Sequence, residues 1–362
     1  MHNKFKPLLI GDLEIEIPLI QGGMGVRVSM APLASAVANC GAAGTIASVG
    51  LAYGVDETTN TFVNASNEAL RQEIRKAKQL TKGVVGVNIM VALSNYEELV
   101  RVAVEEKADF IVSGAGLPIS LPEFASGSSV KLIPIVSSAR AADLILKTWK
   151  RRYDRVPDAM VVEGPLAGGH LGFRLEDLKT RSAHTLENLV TDVLQAVEGY
   201  EPRPGIKIPV IAAGGIFDGK DIAKFLMLGA QGVQMATRFV ATFECSVPDA
   251  FKKLYLAAKP EDVVIIDSPV GMPGRAIKTS FVRKVAAGEK IAFTCSYKCL
   301  RSCDPQAVPY CIARALCNAA DGDLDNAVVF AGSNVARVKE IVSVKDLIDE
   351  LVRETNAALA ST

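Results

Sequence analysis

The chain has 362 residues, 49% hydrophobic and 22% charged, which is enough apolar side chain to bury a large core. Forty Lys and Arg balance forty Asp and Glu with no long block of like charge, which argues against a nucleic-acid or membrane-surface binder and for a small-molecule substrate. No apolar run reaches the roughly 18 residues of a membrane span, and Met1 to Asp12 holds too short an apolar patch for a signal peptide, so a soluble, cytoplasmic protein with free or metal-bound cysteines is expected.

In chain order, short continuous apolar runs recur at 17–20, 44–47, 84–87, 110–112, 132–136, 159–162, 209–212 and 232–235. Continuous rather than alternating runs suit strands buried on both faces. Helical patterns fill most of the gaps. They cover 30–39, 67–80 and 95–107, with Ser29, Ser66 and Ser94 as expected caps, then 139–150, 185–197 and 219–228. Eight strand–helix alternations predict a parallel (β/α)8 TIM barrel, with an open doubly wound sheet as the structural rival. Residues 260–317, rich in Pro, Gly and Cys, read as an extended excursion packed on the barrel. The barrel itself takes 1–259 and 318–362, and apolar spacing over 333–353 predicts helical cover at the carboxyl terminus.

Barrel chemistry belongs on the loops after the strands, and the glycines cluster there. Gln21-Gly22-Gly23-Met24-Gly25 follows the first run, and Glu163 to Gly172 the sixth. Ala213-Gly214-Gly215 follows the seventh, and Ala236-Thr237-Arg238 the eighth. Glycine lets backbone N–H groups approach a ligand, and the last two loops form the usual phosphate site of such barrels. A dinucleotide fingerprint is absent, because Gly23-Met24-Gly25 is followed by Val28 where a third glycine belongs. Any nicotinamide nucleotide is therefore expected to come and go as a transient reductant. Of three histidines, His2 lies near the terminus and His184 just ahead of a helix. His170 alone falls in a glycine loop at a strand end, where it can exchange a proton near neutral pH.

Pro18 to Gly25, Val161 to Gly172, Pro209 to Ile216 and Gly232 to Phe239 together resemble the 2-nitropropane dioxygenase-like flavoproteins. That group holds the nitronate monooxygenases and the flavin-dependent enoyl-acyl-carrier-protein reductases. The resemblance implies an FMN enzyme with His170 as its catalytic histidine. It implies FMN contacts at Gly22, Gly23, Met24, Asn88, Glu163, Gly169, Ala213, Gly214 and Gly215, and from Gln234 through Met235 and Ala236 to Thr237. Many relatives have Gly-Thr where this chain has Ala236-Thr237, so the phosphate contact requires a negative φ at Ala236. Oxidation of alkyl nitronates with O2 ranks first. NAD(P)H-dependent reduction of an enoyl thioester is the alternative, favoured by Ser113 to Pro118 and with Arg275, Lys278 and Arg283 as candidate acceptors of an acidic carrier. A barrel binding a phosphorylated metabolite without redox chemistry is a third reading, and a homodimer is left open.

Cys295, Cys299, Cys303, Cys311 and Cys317 crowd one segment, separated by three, three, seven and five residues. The first four could hold zinc or an iron–sulfur cluster. The alternative, which ranks ahead of it and leaves the protein without metal, is a set of reduced thiols that pack the excursion onto the barrel.

Overall fold

A computed structural model describes residues 3–52, 59–180, 183–295 and 297–361. His2 lies outside them. All eight expected strands form: β1 (Leu19–Gln21), β2 (Gly44–Ala47), β3 (Val85–Met90), β4 (Phe110–Gly114), β5 (Lys131–Val136), β6 (Met160–Glu163), β7 (Val210–Ala213) and β8 (Gly232–Met235). They make one parallel sheet in the order β1-β8-β7-β6-β5-β4-β3-β2. A parallel bridge between Ile20 and Ala43 joins its two edges, with Gln21 N donating to the Ala43 carbonyl at 2.8 Å. The sheet is thus a closed (β/α)8 barrel, and the open-sheet rival is set aside.

Two apolar layers follow from burial on both strand faces. Ile20, Phe110, Val112, Ile133, Val161 and Ile211 fill the barrel interior. The opposite strand faces pack under the helices. A hairpin of Leu8–Ile10 and Leu13–Ile15 inserts Leu8, Ile10 and Ile15 into the inner layer, so the apolar patch near the amino terminus plugs the amino-terminal end of the barrel. Lys131, at the start of β5, is buried and ion-paired with Asp12 of the hairpin turn.

The helices run Ala31–Asn39, Thr59–Leu80, Tyr96–Glu105, Ala139–Tyr153, Leu186–Val197 and Gly219–Leu228. Ser138 and Thr185 cap theirs through backbone N–H groups, and Asp218 forms a capping box with Asp221. The other three caps differ from expectation. Ser29 serves the β1 loop instead, and the first helix amide it was expected to cap, Ala31 N, donates to Glu73 Oε2 at 2.7 Å. Ser66 is buried within a helix that begins at Thr59. Ser94 uses its own N–H on the Cys299 carbonyl at 3.0 Å, ahead of a helix whose cap residue is Asn95.

Beyond the barrel, Val263–Asp267, Pro273–Ile277 and Val329–Phe330 form a small antiparallel sheet, which Gly169–His170 joins. The carboxyl-terminal cover is a 3-10 turn at Val335–Arg337 followed by the helix Val344–Ala360. That helix packs on Gly219–Leu228 so closely that a Cβ on Gly219 would stand 2.4 Å from Glu354 and Thr355. No described helix is long and apolar enough to cross a membrane.

Candidate active site

A cavity of about 250 Å³ opens at the carboxyl ends of the strands. Gly22, Gly23 and Met24 line it after β1, Asn88 from β3, Gly114 from the last position of β4, and Ala115 just after it. Glu163, Gly169 and His170 come from the β6 end, and Gln234, Ala236 and Thr237 from the β8 end. The β1 loop is shaped by buried polar groups. Ser29 Oγ accepts from Met24 N at 3.0 Å and from Gln21 Nε2 at 2.9 Å, while Gln21 Oε1 accepts from Thr45 N at 3.1 Å. Gly23 must be glycine, since a Cβ there would lie 2.3 Å from the Asn88 Cβ.

His170 is held by the small sheet, not by the barrel. It pairs with Gly274, and Leu171 N donates to the Pro273 carbonyl at 2.8 Å. Its Nε2 lies 2.8 Å from Ser268 Oγ, and its ring meets Phe330 edge-on with centroids 4.9 Å apart. The residue lines the cavity, and burial pushes its pKa down to about 4. The imidazole is therefore neutral at pH 7, which replaces the expected ionisation near neutrality. Burial acts oppositely on Glu163, pushing its carboxyl up to about 8, so this side chain is a protonated donor at pH 7.

Arg275 is not a rim cation. It is buried, and its Nη1 donates to the Pro165 and Ala167 carbonyls at 2.6 and 2.5 Å, tying down the loop before His170. Arg283 is exposed and Lys278 is partly buried.

At the other end of the cavity, Ala236 has φ −131°, the negative value its methyl requires. It precedes a short helix, Thr237–Val240, that has no side-chain cap, so first-turn amides remain for an anion. Gly332 N donates to Thr237 Oγ1 at 3.0 Å, and the neighbouring Ser333 Oγ is buried without a partner among the described residues. Arg238 is spent on Glu350, with two bonds of 3.0 and 3.2 Å. Ala213, Gly214 and Gly215 are not part of the cavity wall. Gly214 and Gly215 pack under Ala167 and Leu166, and Asn334 Nδ2 donates to the Gly215 carbonyl at 2.5 Å. Met235 points into the core. First-turn amides, a protonated carboxyl and close-approach glycines fit a phosphorylated flavin.

Sequence reasoning missed Ser268, Tyr255 and Phe330. Tyr255 lines the cavity and donates its hydroxyl to the Phe330 carbonyl. Ser268 lies 98 residues from His170 in the sequence, and only the pairing of distant strands brings the two together. The outer wall, with Tyr297, Cys299, Leu300 and Ile312, comes from the cysteine segment.

A family model described as nitronate monooxygenase matches residues 6–99 and 60–354. A Mycobacterium tuberculosis protein named (3aS,4S,5R,7aS)-5-hydroxy-7a-methyl-1-oxo-octahydro-1H-indene-4-carboxyl-CoA dehydrogenase is 34% identical over 76% of this chain and 67% of its own length. A probable nitronate monooxygenase of Staphylococcus aureus is 28% identical over 76% of this chain and 79% of its own. The solved structure of FabK from Thermotoga maritima superposes with a TM-score of 0.75 at 29% identity, covering 96% of this chain and 95% of that one.

Proposed function

The chain belongs to the nitronate monooxygenase family of oxidoreductases, and from that premise we propose that it is an FMN enzyme acting on the carbon–carbon bond beside an acyl-thioester carbonyl. Membership sets aside a barrel without redox chemistry. The observation that carries the thioester reading is the charge of the cavity. No described lining residue is Lys or Arg, His170 is neutral at pH 7, and Glu163 is protonated. An anionic nitronate would meet no counter-charge on this wall, whereas an uncharged acyl thioester loses little on entering it. The CoA thioester in the name of the mycobacterial relative supports the same class.

Gly22, Gly23, Met24 and Asn88 would hold the flavin ring, with the Glu163 carboxyl donating to it. Gly169, Gln234, Ala236 and Thr237 would face its phosphate end, with the Ala213–Gly215 turn and Met235 supporting from behind. FMN, when bound, supplies a centre that exchanges hydride with carbon. His170 then orients the substrate. If Ser268 donates to Nε2, the imidazole keeps Nδ1–H as an uncharged donor for a thioester oxygen, which a neutral imidazole can polarise. NAD(P)H acts as a transient partner in the same cavity.

Oxidation of nitronates with O2 is the second reading, supported by the Staphylococcus relative. Anaerobic mixing of the flavin-loaded protein separates the two. NADH or NADPH should bleach the flavin, and crotonyl-CoA should restore its colour. Bleaching by an alkyl nitronate, with no response to either nicotinamide or to any acyl-CoA or enoyl-CoA, would overturn the thioester assignment.

A further inference from the structure

Cys295, Cys299, Cys303 and Cys311 all line one small cavity of about 20 Å³, together with Phe293, Leu300 and Ile312. None is in a disulfide. We propose that these four cysteines bind a [4Fe–4S] cluster, at a site distinct from the flavin cavity and one side chain away from it.

Several independent features converge on this site. Among the described residues, 287–311 hold no helix or strand, a length at which a compact protein usually has a fastening. The segment is nevertheless pinned to the barrel. Leu300 bridges Leu93, Ser94 N donates to the Cys299 carbonyl at 3.0 Å, and Arg301 N donates to the Ala92 carbonyl at 2.9 Å. The Tyr297 ring stacks on Phe62 with centroids 3.8 Å apart. Cys311 stands at the start of the helix Ile312–Asp321, where its Sγ accepts from Arg314 N at 3.5 Å, the kind of hydrogen bond that tunes cluster sulfurs.

The choice of cluster over zinc rests on the sequence: intervals of three, three and seven residues depart from the paired knuckles of zinc sites, and a cubane core, whose irons each take their own thiolate, does not need the four sulfurs to share one ion position.

Cys299, Leu300, Ile312 and Ala313 line both cavities, so iron and sulfide, not flavin colour, are the readouts. The full chain, purified anaerobically, should hold about four irons and four acid-labile sulfides. Protein isolated without them should take up the same amounts from ferrous iron and sulfide under reductant. Cys295→Ser, on the exposed side, and Cys303→Ser should lose at least half of that iron, while the remote Cys40→Ala keeps it all. Zinc at one per chain without sulfide, or no iron after reconstitution of folded protein, would overturn the proposal. So would iron uptake unchanged in both Ser variants.

Discussion

His170 shows how far one side chain can depart from its free chemistry. Its position after β6 was legible because histidine is scarce and glycine surrounds it. Its neutrality was not, because burial and the Ser268 partner come from strands about 100 residues away. A group that only donates a hydrogen bond should leave a distinctive trace. His170→Ala should retain flavin, since the expected contacts are mostly backbone, and lose roughly 10²–10³ in kcat by analogy with removing one oxyanion donor. In the wild-type pH profile, no limb should stand at the ordinary histidine value. Protonation of His170 should lower the rate only as pH falls toward about 4, and steady-state kinetics across the acid range check this.

At the scale of elements, the eight strands were readable because parallel strands buried on both faces must be continuously apolar. The helix starts were less so. Ser29, Ser66 and Ser94 each satisfy the local capping rule, yet Ser29 Oγ goes to Gln21 and Met24, Ser66 falls inside a longer helix, and the helix after Ser94 starts one residue later, with Asn95 at its cap position. The packing of Val344–Ala360 against Gly219–Leu228 was likewise hidden, since spacing marks an apolar face but not its partner. That contact can be tested at its narrowest point. Gly219→Val forces Glu354 and Thr355 outward and should cost about 1–3 kcal/mol in urea unfolding.

Across the whole molecule, two buried groups give folding an opposed dependence on pH. Glu163 binds its proton more tightly when folded, so its contribution is full below its ordinary value of 4.5 and is lost as pH rises through about 8. His170 binds its proton less tightly, so its contribution is full above 6.5 and is lost as pH falls through about 4. The flavin-free protein should therefore lose Tm from pH 6 to pH 9, and Glu163→Gln should flatten that fall. Calorimetry on both proteins measures it, and an equal fall in the variant would assign the effect elsewhere.

The imidazole rides on the small antiparallel sheet, while the glycines that face it belong to the barrel rim. The two pieces are bolted together by the Arg275 guanidinium, which grips the Pro165 and Ala167 carbonyls of the loop that carries His170. A change in the small sheet would therefore re-aim the imidazole through that bolt.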